Sequence, residues 1–144
     1  MNMVRSLLVL LLVVVACNAF GRSENIAPSA LSEVDAVHVV ASCDGKPYYK
    51  QVLQSPEQVS ALLSEFEALR KNPEKPAAAK FSCKARVSFL KAERSVATFH
   101  VLSCSMYERA EIQGKRYFHY KAGLNQLPFL RRLLGRQEGA GKCA

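Results

Sequence analysis

The sequence lacks the short motifs that mark most metal-binding and catalytic sites. It contains no Cys-x-x-Cys or His-x-x-x-His pair, so a zinc site is not expected. Its seven glycines form no phosphate-binding loop, and no residue lies in a nucleophile elbow. The histidines His38, His100 and His119 belong to no motif, and we interpret each as a packed or surface residue. These absences predict a protein that is not an enzyme and that binds no metal or cofactor.

The sequence also lacks an apolar run long enough to cross a bilayer. Its longest run, residues 7–16, is entirely aliphatic or alanine, whereas a spanning helix needs about 20 apolar residues. The run follows a short start whose positive charge is Arg5, and this arrangement is typical of a secretory signal peptide. An amphipathic core helix would need a polar face, which this run does not have. Residues 1–16 are therefore predicted to be a signal peptide that directs export.

The end of this run reads Val14-Val15-Ala16-Cys17, which resembles the lipobox of bacterial lipoproteins. The resemblance covers only the first 17 residues. It implies that Cys17 is acylated and that the lipid anchors the protein in a membrane. Residues 17–33 are predicted to form a flexible tether, since the segment from Phe20 to Ser32 is polar, contains Pro28 and shows no periodicity. Asn18 in place of an aspartate implies the periplasmic face of the outer membrane. The alternative is cleavage after Ala19, which would give a soluble secreted protein.

Four cysteines remain after the leader: Cys43, Cys83, Cys104 and Cys143. Export makes disulfide bonds the expected state of these residues, and four cysteines allow three connectivities. If Glu93 and Arg94 form a hairpin turn, Cys83 and Cys104 lie opposite each other on paired strands. Cys43 is the rival partner for either residue, so the connectivity stays open.

The first part of the mature chain predicts a hairpin followed by a helix. Asp44-Gly45 separates two β-prone runs, residues 37–42 and 48–53, and favours a tight turn. Ser55, Pro56 and Gln58 then predict a capping box and a helix start. Apolar residues recur at helical spacing as far as Leu69, and residues 75–79 are predicted to be a loop.

The second part predicts four more strands and a short helix. Residues 80–89 alternate between apolar and mostly basic side chains, and a returning strand covers residues 96–104. Gln113-Gly114 is predicted to turn between strands at 107–112 and 115–121, and Gly135 to end a helix at 127–134. The predicted fold is an α+β domain over residues 34–136, followed by a tail at 137–144. It has a single antiparallel sheet of about six strands, with one main helix and a short C-terminal helix packed on it.

The charge of the mature chain is concentrated in its second half. Residues 80–136 carry twelve basic and three acidic side chains, whereas residues 18–79 have a slight acidic excess. A field of this sign attracts anionic partners. We predict that one docking surface contains the following five residues: Lys84, Arg86, Arg116, Arg131 and Arg132.

These features predict an exported, lipid-anchored, non-enzymatic binding module. Its expected partner is an anionic envelope component or an acidic protein, and not nucleic acid, which is not a usual component of the periplasm. The alternative is an inhibitor or immunity-type protein that blocks a secreted hydrolase. A third interpretation is a secreted eukaryotic protein of cystatin-like layout, although the sequence has no Gln-x-Val-x-Gly loop.

Overall fold

A computed structural model describes Pro28, residues 30–110 and residues 115–135 of the chain. The predicted signal peptide, Cys17, the predicted Gln113-Gly114 turn and the predicted tail with Cys143 lie outside the described residues. Within those ranges, no helix is both long enough and apolar enough to cross a membrane.

The described chain forms a single antiparallel sheet with two α-helices, which confirms the α+β prediction. The sheet has seven strands rather than about six, in the order β2-β1-β4-β5-β6-β7-β3. The strands are β1 (Ala36–Cys43), β2 (Lys46–Leu53), β3 (Glu74–Ala78), β4 (Cys83–Lys91), β5 (Arg94–Val101), β6 (Met106–Arg109) and β7 (Arg116–Tyr120). The helices are α1 (Pro56–Leu69), a short 3₁₀ turn (Leu124–Gln126) and α2 (Pro128–Leu134).

The additional strand is β3, in a segment predicted to be a loop. It pairs with β7 at the end of the sheet, with Glu74 opposite His119 and Ala77 opposite Tyr117. The register shifts between these two pairs, at the position of Pro76. The loop prediction was wrong because this segment is held by its pairing with β7 and has no apolar alternation of its own.

The β1–β2 and β4–β5 turns are both made by residues with positive φ. Asp44 and Gly45, at φ of 48° and 77°, form the predicted turn between β1 and β2. The turn between β4 and β5 is Ala92-Glu93, one residue earlier than predicted, at φ of 47° and 64°. No glycine or asparagine occurs at this turn, so the residue types did not indicate it.

The observed register changes the expectation for the cysteines. Ala85 pairs with Val101, where β5 ends, so Cys104 lies beyond the strand and is not paired with Cys83 across this hairpin. Cys83 instead lies directly opposite Cys43 in the pairing of β4 with β1. The predicted placement of Cys83 opposite Cys104 was therefore wrong, because it depended on the turn at Glu93-Arg94.

One face of the sheet and both helices enclose the core. Phe66 of α1 packs edge-on against Phe89 and Phe99, with ring centroids 5.2 and 4.9 Å apart. Leu130 and Leu134 of α2 belong to the same buried cluster. Ser55 precedes α1, but its side chain makes no capping hydrogen bond, so the predicted capping box does not form. Because both helices cover the same side of the sheet, the opposite side has no helix from the described residues.

A close backbone contact fixes the turn that follows β5. The Leu102 N–H donates to the Ser105 carbonyl at 2.9 Å, and the Leu124 N–H donates to the Leu102 carbonyl at 2.8 Å. A Cβ at Gly123 would lie only 2.4 Å from the Leu102 oxygen and 2.5 Å from the Ser105 nitrogen. Only glycine fits here without moving the backbone.

Candidate binding face

We call the side of the sheet away from α1 and α2 the open face. The strand registers place residues of six adjacent strands in one line across it. In order from β2 to β7 this line consists of Lys50, Val40, Arg86, His100, Tyr107 and His119. Neighbouring strands are about 4.8 Å apart, so the line is an extended surface rather than a pocket.

An aromatic cluster occupies the β5 to β7 side of the open face. We define it as Phe81, His100, Tyr107, Tyr117 and His119. Phe81 reaches it from the segment between β3 and β4 and stacks on His100, with ring centroids 4.7 Å apart. Its ring also lies 4.9 Å from Tyr107 and 5.3 Å from Tyr117. Tyr107 in turn stacks on His119 at 4.8 Å.

Cationic side chains surround this aromatic cluster. The Lys84 Nζ lies 5.2 Å from the centre of the Phe81 ring, within cation–π range. Burial, and then the charge of Arg86, lower the pKa of Lys84 from its ordinary value. Arg109 pairs with Tyr117 across β6 and β7, on the same face. The open face therefore combines aromatic rings with positive charge.

His100 is buried among these positive charges. The residue is only 5% exposed, and neither ring nitrogen has a hydrogen-bond partner among the described residues. Burial, followed by the charges of Lys84, Arg109 and Arg86, lowers the pKa of His100 to about 4. The ring is therefore neutral at pH 7 and adds no charge of its own. On β1, burial and the charges of Arg86 and Lys50 lower the pKa of His38 as well.

Among the strand residues that the structure describes, negative charge on the open face lies at its β3 edge. The strand registers place one described carboxylate on this face, that of Glu74. Its Oε2 lies 2.8 Å from Nδ1 of His119, and its Oε1 lies 3.7 Å from Nζ of Lys121. The hydrogen bond with His119 lowers the pKa of Glu74. This carboxylate lies on β3, four strands away from Lys84 and Arg86 of β4.

A half-open cavity of about 370 Å³ adjoins this edge. Its lining includes His119, Lys121, Ser103 and Asn125. In the described parts of the chain, no group of three or more His, Cys, Asp or Glu side chains is placed to hold a metal ion.

The five predicted docking residues do not form one surface. Lys84 and Arg86 lie together on the open face, since they alternate with the buried Ala85 and Val87 of β4. Arg116 lies two residues before the core residue Phe118 in β7, so its side chain is on the core side of the sheet. Its guanidinium donates to the Pro76 carbonyl at 3.3 Å.

The predicted helix pair, Arg131 and Arg132, lies on the other layer of the molecule. Both residues are exposed on α2, and the Arg132 guanidinium lies 6.0 Å from the Phe129 ring. Because α2 packs on the core side of the sheet, these two charges cannot join Lys84 and Arg86 in one flat contact.

The sequence-based prediction also missed residues that belong to the open face. Lys50, Arg109 and Phe81 were not among the predicted docking residues. The spacing of Tyr107 and Arg109 two positions apart does indicate a shared strand face. Strand register places Lys50 opposite Val40, and the conformation of a connecting segment places Phe81 over His100. Sequence spacing defines neither of them.

The chain matches no protein-family model, no curated protein and no solved structure.

Proposed function

We propose that this protein is an exported, non-enzymatic binding module that docks its open face on an anionic component of the cell envelope or on an acidic protein. In this proposal Cys17 is lipidated and anchors the chain at the periplasmic face of the outer membrane. The observation that carries the docking proposal is that Lys84, Arg86 and Arg109 share one face of the sheet with the buried His100, which lies directly opposite Arg86.

This arrangement favours an anionic partner for an electrostatic reason. Charges that share one low-dielectric surface reinforce each other, and they attract counter-ions and anionic partners with an ionic-strength dependence. The aromatic cluster adds apolar contact area beside the charges. The open face is broad, so it suits a surface or a polymer better than a small ligand.

The experiment compares two variants of equal net charge. Lys84→Glu with Arg86→Glu reverses two charges on the open face, and Arg131→Glu with Arg132→Glu reverses two on the helix layer. Each is purified in detergent as its host processes it, and its retention on an immobilised sulfated polysaccharide is measured against salt. Circular dichroism and thermal unfolding show that both variants are folded.

The open-face variant should elute at clearly lower salt than the helix-layer variant. Since the net charges are equal, the difference reports only where the charges lie. Equal elution of the two variants would mean that retention follows net charge alone, and the proposed docking face would then be rejected.

A further inference from the structure

Strand β2 (Lys46–Leu53) forms one end of the seven-stranded sheet, and its outer side pairs with no described strand. The two ends of the sheet differ. At the other end, β3 has five residues, a break in register and Pro76, and these features hinder the addition of another strand. Strand β2 has eight residues; its proline, Pro47, and its register shift, between Pro47 and Tyr49, both lie near its start, so its pairing is regular from Tyr49 to Leu53. The β2 edge is therefore the one open to a further strand.

The hydrogen-bond pattern shows which β2 residues face outward. Asp44 N–H donates to the Ser82 carbonyl at 2.8 Å, so even-numbered residues of β1 bond to β4. The odd-numbered residues of β1 then bond to β2, through their partners Tyr49, Gln51 and Leu53. The backbone N–H and C=O groups of Lys50 and Val52 consequently point away from the sheet.

The side chains of β2 add apolar surface and positive charge to this edge. Among the described residues, the large apolar side chains that are exposed are Tyr48, at 41%, and Val52, at 50%. The strand also carries Lys46 and Lys50 and no acidic residue. Lys50 lies on the open face, with Val40 between it and Arg86.

We propose that the β2 edge binds an extended acidic segment of a partner protein, which adds to the sheet as an eighth strand. The segment would place a carboxylate opposite Lys50 and an apolar side chain opposite Val52. Opposite charges and apolar pairs across strands are favourable, whereas like charges are not. A second copy of this chain is a poor occupant, since its own β2 strand would place two further lysines beside Lys46 and Lys50.

This site goes beyond the proposed docking function. The open face attracts anions through side chains, whereas the edge would recognise the backbone of its partner, as in strand addition. An experiment could therefore reject the edge site and support the docking face, or reject the docking face and support the edge site.

The test uses synthetic peptides in which threonine alternates with valine and glutamate, so that valine and glutamate share one side. Hydrogen exchange of the Lys50 and Val52 amides is followed by NMR in the full chain. Both amides should exchange rapidly without peptide and at least about tenfold more slowly with it, since each gains a hydrogen bond. The Gln51 amide, already bonded to β1, should change little.

Two control peptides separate backbone pairing from simple charge attraction. A peptide N-methylated on the side that faces β2 keeps its charge, but the methyl groups remove its donors to β2 and block the close approach that strand pairing needs, so it should give no protection. A peptide with lysine in place of glutamate keeps the backbone and should bind on the order of tenfold more weakly. Protection by the N-methylated peptide, or equal binding of the lysine peptide, would overturn the proposal.

Variants of the protein complete the test. Val52→Pro removes one outward N–H and should abolish the peptide's protection of the Lys50 amide, while retention on the sulfated polysaccharide is kept. Lys50→Glu leaves the backbone intact and should reverse the preference between the glutamate and lysine peptides. This variant keeps the proposal testable if Val52→Pro does not fold. Slow exchange at Lys50 and Val52 in the peptide-free protein would overturn the proposal, with the edge then assigned to a second copy or to the chain itself.

Discussion

Arg70 and Glu108 form a bidentate ion pair inside the protein, at the junction of α1 with β6. The Arg70 Nε donates to Oε2 at 2.9 Å and Nη2 donates to Oε1 at 2.6 Å, while the Glu108 side chain is 0% exposed. The Tyr120 hydroxyl donates to Oε2 at 2.7 Å. Burial alone would lower the pKa of Arg70, but the hydrogen bond and charge of Glu108 raise it. This pair holds the end of α1 against the sheet.

Arg70→Met should therefore destabilise the fold strongly. It leaves a buried carboxylate without its cation, and such a change costs about 3–5 kcal/mol. Tyr120→Phe removes one hydrogen bond to the same carboxylate and should cost roughly 1.5–3 kcal/mol. Glu67 contacts Arg70 at 3.6 Å from an exposed position, so Glu67→Gln is the matched control and should cost less than about 1 kcal/mol. Urea unfolding measures all three. Equal losses for Arg70→Met and Glu67→Gln would contradict the structural role of the buried pair.

Gly123→Ala should be more harmful than Gly135→Ala. The new methyl group at position 123 meets backbone atoms at 2.4 to 2.7 Å, whereas position 135 has no atom within 4 Å. Backbone cannot rotate away as a side chain can, so we expect a loss of at least about 1–3 kcal/mol at position 123. Gly135 has a φ of 79°, and its substitution costs only the strain of that conformation, about 1 kcal/mol. Thermal unfolding of the two variants compares them directly.

His100 should make the stability of the protein depend on pH. Its pKa is about 4 in the folded protein, against an ordinary value of 6.5, so the unfolded chain binds more protons between these values. Stability is therefore complete above pH 6.5 and decreases as the pH falls towards 4. The linked loss is on the order of 3 kcal/mol.

His100→Gln does not titrate and should show a shallower decrease in unfolding free energy between pH 7 and pH 4. His38→Gln is a useful comparison, since the pKa of His38 is also lowered but its side chain is less buried. The prediction is wrong if the wild-type protein and His100→Gln have parallel pH profiles.

The register of β1 with β4 predicts the cysteine connectivity. Cys43 and Cys83 are opposite each other, and the Asp44 to Ser82 hydrogen bond makes theirs a non-hydrogen-bonded pair. The Cα atoms of such a pair are about 4.5 Å apart, within the range that a disulfide bond spans. We therefore predict a Cys43 to Cys83 disulfide, which leaves Cys104 to pair with Cys143. Mass spectrometry of non-reduced proteolytic peptides identifies the linked pairs. A peptide joining Cys83 to Cys104 would contradict this assignment.

The elements predicted correctly are those whose residues carry a local signal. Asp44-Gly45 specifies its turn, and the apolar spacing from Val59 to Phe66 specifies α1. The turn at Ala92-Glu93 has no such signal, and neither does β3. Both are determined by the strands that they join or contact.

The binding face was predicted only in part for a related reason. Alternation along β4 indicates that Lys84 and Arg86 share one side of a strand. It does not indicate on which layer a later helix packs, so Arg131 and Arg132 were assigned to the wrong surface. Phe81 was missed because it lies in a connecting segment whose path depends on the completed sheet.

The position of β3 has a consequence for the order in which the protein folds. Strands β4 to β7 are joined by short connections, so each can pair with its predecessor as soon as both exist. β3 precedes all four in the chain, yet its described partner is β7, the last of them. Contacts between distant parts of a chain form slowly, because the intervening segment must first be ordered. During synthesis, β3 therefore emerges well before its place in the sheet exists, and its docking should be among the last steps of folding.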